Sequence, residues 1–307
     1  MQGVTLIELV ITMVLAATLS VAVSVFIARP LNAYTSITRR AELVEAADMA
    51  LRRMARDIQR AVPNSLRVKI DPGNAQRVAV EMLNIVEGMR YRGTPAGPFL
   101  DFTAPGTQFN VIGQFQFALT NATCAANNCR VVVYNTGANA GGAIPSDNPS
   151  PGANVYSTAA APACAGCLPP PGSVTITPVG TTVTLSNPSA EGRVVLGSAT
   201  QFALPSARQR VDIVDTPVTY ICDTNANQRQ ITRYWNYTIN PVQPTDPSVS
   251  PLNAAQSAQL TKDVTACSFT YVPGTSQRNG VITMSITLTA GGENIRLMRQ
   301  VSVRNAP

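Results

Sequence analysis

The sequence predicts an α+β chain in which a long N-terminal helix, first membrane-spanning and then amphipathic, packs on a C-terminal antiparallel β-rich domain. Three observations carry that reading. Residues 4–28 hold a single charge, Glu8, in an otherwise apolar or hydroxyl-bearing run. Between residues 31 and 62, apolar side chains recur at spacings of three and four. In the last third of the chain, apolar and polar residues alternate instead, the period of a half-buried strand.

Leu9 to Ala28 are twenty uncharged residues. As a helix they rise about 30 Å, the thickness of a bilayer's hydrocarbon core. The first positive charge, Arg29, is followed by Pro30, where the helix is expected to kink or pause. A secretory signal peptide has a basic start, a shorter apolar core and a small-residue cleavage site. Here no basic residue precedes the run and the run is too long, although Ser20-Val21-Ala22 has the composition of such a site. A plain signal anchor leaves Glu8 unexplained. A carboxylate in an apolar helix costs up to ~3 kcal/mol at mid-membrane, less near an edge, and usually has a partner.

Gly3-Val4-Thr5-Leu6-Ile7-Glu8-Leu9 resembles the type IV prepilin signature. That resemblance implies a leader of residues 1–3, a cut by prepilin peptidase between Gly3 and Val4, N-methylation of Val4, and an assembly role for Glu8, which matches the family's carboxylate. It implies a pilin helix over 4–62, spanning the membrane at 4–28 and amphipathic over 31–62, with the β-rich domain at 63–307. Two features depart from the family. Val4 stands where Phe is usual, and Met1-Gln2-Gly3 lacks the usual Lys or Arg while Arg29, Arg39 and Arg40 lie beyond the span. Basic residues favour the cytoplasmic side, so the expectation is a start codon further upstream or processing that tolerates a minimal leader.

At 307 residues, the chain has room for one long helix and one sizeable domain. Only 13% of residues are charged and 6% aromatic, with 23 prolines and 20 glycines, a profile that suits a β-rich exported domain. The net charge of +6 is spread along the chain rather than gathered into basic runs with aromatics, so no nucleic-acid partner is expected. There is no histidine, which removes the usual general base, triad member and neutral metal ligand. No enzyme activity and no cofactor are expected. The six cysteines, Cys124, Cys129, Cys164, Cys167, Cys222 and Cys267, are an even number beyond the span and point to an oxidising compartment.

After Pro30, the apolar stripe is Val44, Ala47, Leu51, Met54, Ala55, Ile58 and Val62. Charges from Arg39 to Arg60 occupy the other face and read mostly as solvated. The stripe needs a cover, and a β-sheet is the simplest one. Leu66 to Ile70 alternates, then Asp71-Pro72-Gly73-Asn74 turns the chain. Val78 to Leu83, Val111 to Leu119 and Arg130 to Tyr134 read as strands, with shorter ones at Val174–Thr177, Thr182–Leu185 and Val211–Val214. Residues 135–173, rich in Ala, Gly, Pro, Ser and Asn, are expected to be a surface loop that buries little. Val218–Cys222 and Gln230–Tyr237 form a hairpin through Asp223-Thr224-Asn225. Cys267–Val272, Val281–Thr289 and Ile295–Val303 follow, and the last strands are expected to lie against the helix stripe.

Cys124-x4-Cys129 with Cys164-x2-Cys167 has zinc-like spacing, but disulfides are the stronger expectation outside the cytoplasm, so no metal is assigned. Ala165-Gly166 followed by three prolines does not start a helix, so a low-pKa redox pair is not expected. Asp71, Asp212 and Asp215 fall short of the six to eight oxygens that calcium takes. Trp235 is expected in core or sheet-face packing.

The resemblance extends further. The stretch 39–68, Val131 to Gly137, Asp215 to Asp223, Thr232 to Trp235, Ala266 to Tyr271 and Asn305-Ala306-Pro307 are similar to minor pilins of the mannose-sensitive haemagglutinin pilus, and more distantly to type II secretion pseudopilins of the J type. It implies a subunit anchored once in the inner membrane with a periplasmic head, passing to a pilus at the cell surface. Its partners would be the prepilin peptidase, the inner-membrane assembly platform and other major and minor pilins. Cys222 and Cys267 sit in two of the matching blocks and are expected to pair. Local pairs 124–129 and 164–167 are the simplest for the rest, with cross-pairing open. A tip adhesin using the 135–173 loop is the other binding reading.

Overall fold

A computed structural model describes residues 5–94, 97–116, 129–140, 147–157, 159–163, 168–274 and 278–303. Helix α1 (Leu6–Gln59) is 54 residues long and passes through Pro30 without interruption. The expected pause at that proline does not occur. Proline in a helix interior costs about 3 kcal/mol and one N–H. A break would instead expose several unpaired carbonyls and N–H groups beside an apolar run.

The helix ends at Gln59, three residues before the expected boundary. Residues 60–62 turn into the sheet instead: Ile85 donates its N–H to the Arg60 carbonyl and Val62 donates to Leu83, both at 2.8 Å. The buried stripe is Leu43, Ala47, Ala50, Leu51, Met54, Ala55 and Ile58. Val44, expected inside, is 41% exposed, because Leu43 occupies the core-facing position beside it.

Among the described residues the head contains two antiparallel sheets. The larger has the order β5 (Val183–Ser186), β6 (Gly192–Thr200), β3 (Gly106–Ile112), β2 (Asn74–Tyr91), β7 (Arg210–Asp223), β8 (Gln230–Trp235), β9 (Gln256–Lys262). Strand β1 (Arg67–Asp71) adds to β2, and β4 (Arg130–Val132) adds to β7. The smaller sheet is β10 (Val264–Val272), β11 (Gly280–Ala290) and β12 (Glu293–Val303), in that order. As expected, Ile282, Met284, Ile286 and Leu288 share one buried face of β11 and meet the helix stripe. The main core lies between α1 and both sheets. A second core lies around Phe109, Val194, Phe202 and Ile213, away from the helix.

Several strand expectations need correction. Val78–Leu83 is the middle of an 18-residue strand. Val211–Val214 and Val218–Cys222 are one strand, β7, running through Pro217. On that edge β4 pairs up to Val214 and β8 starts at Thr219, so Pro217 falls in the gap and no ladder N–H is missed there. Val174–Thr177 makes only isolated bridges, Val174 to Phe202 and Ile176 to Val132. The segment 135–173 stays irregular but does not lie on the surface throughout. Asn135, Val155, Tyr156 and Ser173 are buried, and the Tyr156 hydroxyl donates to the Ser65 carbonyl at 2.8 Å.

Gly291 turns the β11–β12 hairpin at φ +56°, and its carbonyl accepts a 2.7 Å bond from Arg39 Nη1 on the helix. A Cβ there would lie 2.4 Å from the Arg39 guanidinium. Gly291→Val is therefore expected to lose about 1–2 kcal/mol from the left-handed backbone alone, with the Arg39 bond broken as well. Thermal unfolding checks it: an unchanged Tm contradicts the tie between hairpin and helix.

Candidate functional site

The candidate site is the exposed half of α1 with its seat on the head. Leu6–Ser24 is long and apolar enough to cross a membrane, and none of it is buried by the rest of the chain. Its hydroxyls turn back onto the helix: Thr12 donates to the Leu9 carbonyl, Thr18 to Leu15, Ser20 to Ala16 and Ser24 to Ser20, all at 2.7–2.9 Å. Each hydroxyl's proton is thus satisfied within the helix, which suits an apolar surrounding. Glu8 is the acidic residue of the first turn. There it faces the positive end of the helix dipole, where a carboxylate is favoured. Gly3 and Val4, the expected cleavage and methylation positions, lie outside the described residues.

The lower half of the helix is fixed to the head by charge as well as by the stripe. Near the exit from the head, Arg40 pairs with Glu293 at 3.1 Å and Asp48 lies 3.7 Å from Arg299. These are solvent-exposed and contribute little individually. Deeper in, Asp57 is buried, a departure from the solvated charge face expected of the sequence. Its carboxylate accepts from Tyr220 Oη at 2.6 Å and from Arg233 Nε at 2.8 Å, which joins the helix to β7 and β8. Burial and the Asp57 charge push the Tyr220 phenol up, so it stays a donor. Arg233 also stacks 4.8 Å from the centre of Trp235, which sits at the margin of the main core as expected.

Beneath this seat lies a charged centre that sequence reasoning missed. Glu81 is fully buried and accepts from Arg67 Nε at 2.6 Å and Tyr237 Oη at 2.8 Å. Arg67 also donates to the carbonyls of Asn240 and Pro241, and its guanidinium lies 3.6 Å from the centre of Tyr156. Burial pushes the Glu81 carboxyl up, against the Arg67 charge and the hydrogen bonds that hold it down. The group pins hairpin β1–β2, the 237–241 segment after β8 and Tyr156 to one another.

Cys222 on β7 and Cys267 on β10 form the expected disulfide, with Cα atoms 6.6 Å apart, and so link the two sheets. Cys129 is also disulfide-bonded, so it is not a thiolate ligand, and its partner lies outside the described residues. Cys124, Cys164 and Cys167 lie outside them too. Asp71 converges with Asp223 and Asp246, but on Arg77, which pairs with all three at 2.8–3.1 Å. Asp212 pairs with Arg210, and Asp215 accepts from the Thr216 N–H. The structure does not bring Asp212 and Asp215 together with Asp71. Compared with family models, with curated proteins and with solved structures, the chain finds no match in any of the three.

Proposed function

We propose that this chain is a pilin-like minor subunit. It is cut by prepilin peptidase between Gly3 and Val4, N-methylated at Val4, held in the inner membrane by its first 25 or so mature residues, and drawn by an assembly platform into a type IV fibre of the mannose-sensitive haemagglutinin kind, or primes such a fibre. Major and minor pilins are its neighbours there. The observation that supports this best is the division of α1: one continuous helix is seated on the head over its C-terminal half and wholly uncovered over Leu6–Ser24. A span used only as an anchor has no need of a carboxylate in its first turn. In the proposed fibre, the uncovered half packs against other copies, and Glu8 pairs with the cationic N-terminus of a neighbour and so fixes axial register.

Glu8→Leu separates assembly from insertion. The variant should be cut, methylated and inserted, because its span only becomes more apolar. It should be lost from fibres by an order of magnitude or more, the consequence of an unpaired terminal amine in an apolar bundle. Immunoblots of sheared fibres, with crosslinking to partner pilins, provide the readout. Wild-type incorporation of the Glu8→Leu chain would remove the register mechanism.

A further inference from the structure

A cleft of about 1050 Å³ opens between strand β1 of the large sheet and strand β10 of the small one. Its walls include every residue from 64 to 70 and every residue from 265 to 271. A cleft lined by the face of a strand takes alternate residues, because successive side chains point to opposite sides. Unbroken runs on both walls mean that strand edges, backbone included, face the space. Among the described residues β10 pairs only with β11, and β1 only with β2, so each has one side without a strand.

The two edges are not equivalent. On the β1 wall, the Ser65 carbonyl already accepts from Tyr156 Oη and the Arg67 carbonyl from Gln243 Nε2. On the β10 wall, Ser268 and Thr270 are exposed, and the strand is nine residues long against five. The charges in the walls are spent: Arg67 pairs with Glu81, and Lys69 with Asp147. Ile70 remains 61% exposed at the cleft. The disulfide holds β10 against β7, with Cys267 itself in the lining, so the cleft is built on a fixed frame.

We propose that the cleft receives an extended, uncharged segment of another polypeptide, which adds as a strand to the free edge of β10, with β1 as the opposite wall. An open edge offers N–H and C=O groups at the spacing of a strand, which only another extended backbone can match along its length. At about 3.3 Å per residue, the β10 wall matches about five to seven residues of partner. Neutral walls disfavour a charged segment, since its charge would lose water and gain no counterion. Nothing in this requires the cut at Gly3 or a fibre, so the proposal and the pilin reading fail separately.

The test uses the full chain in detergent micelles and fluorescent nine-residue peptides built from Thr, Val, Ser, Ile and Gln, read by anisotropy. Binding is expected, and N-methylation of alternate peptide residues should weaken it roughly tenfold or more, since two or three backbone bonds are removed without changing side chains. Ser268→Trp and Thr270→Trp, both at exposed positions, should weaken it similarly by filling the space. Pools carrying Lys or Glu at every third position should bind less well. Absence of binding by the uncharged pool, equal binding of the N-methylated peptides, or better binding of a charged pool would each overturn the proposal.

Discussion

Glu81→Ala is expected to destabilise the head by about 3–5 kcal/mol, the range for breaking a buried ion pair by removing one partner. The loss is large because Arg67 remains behind, buried and without its carboxylate, and Tyr237 loses its acceptor at the same time. A cavity forms where a fully buried side chain stood. Against a typical total of about 5–15 kcal/mol, this is enough to leave a large unfolded fraction on mild warming. Glu81→Gln keeps an acceptor for Tyr237 but not the charge, and should fall between the two. Denaturant unfolding followed by near-UV circular dichroism measures both. A loss under 1 kcal/mol for Glu81→Ala would mean that the carboxylate is not what holds Arg67 of β1 and Tyr237 to β2.

The second large effect concerns the bond between Cys222 and Cys267. It closes a separation of 45 residues, which in the chain-entropy model contributes roughly 4 kcal/mol through the unfolded state. It also links β7 of the nine-stranded sheet with β10 of the three-stranded one, so the loss is not shared evenly over the head. In the double variant Cys222→Ala, Cys267→Ala, the free energy of unfolding should fall by about that amount. Amides of β10 and β11 should exchange hydrogen faster than those of β2 and β7, since the small sheet is otherwise held to α1 by apolar contact and by exposed polar ties such as Arg39–Gly291 and Arg40–Glu293. Uniform protection across both sheets, at wild-type stability, would contradict this role for the bond. Non-reducing peptide mapping gives an independent check of the pairing.

Much of the framework is legible in the residues, and the departures have identifiable causes. The β11 face of Ile282, Met284, Ile286 and Leu288 follows directly from its period of two, as every second residue is fully buried. Strand β9 was invisible to the same reasoning, because it is an edge strand that is mostly exposed and carries few apolar residues. Strand β6 was hidden by Gly197 and Ser198, which break its alternation. Proline misled twice. Pro30, where a kink or pause is expected, is carried within a long helix, and Pro217, between two segments that read as separate strands, sits where no neighbour needs its N–H.

The Arg67–Glu81 pair shows a deeper limit. Counting back from the turn at Pro72-Gly73, with Asp71 opposite Asn74, places Arg67 opposite Val78. The irregularity between Ile70 and Asp71 shifts the register by three residues and sets Arg67 opposite Glu81. Composition likewise makes residues 135–173 read as a surface loop that buries little, although Val155 and Tyr156 are enough to carry part of that segment into the core. Near the N-terminus the reverse holds. Glu8 and the apolar run are plain in the sequence, and the role proposed for them is one between chains.

The most direct measurement is therefore the intact mass of the membrane-extracted protein, with its N-terminal peptide sequenced by mass spectrometry. For the wild-type chain, the account predicts a terminus at Val4 carrying one methyl group. For Gly3→Leu, which places a bulky side chain at the peptidase site, it predicts an uncut precursor that stays in the membrane. A wild-type protein that begins at Met1, or one trimmed after Ala22 as a signal peptide would be, would contradict it.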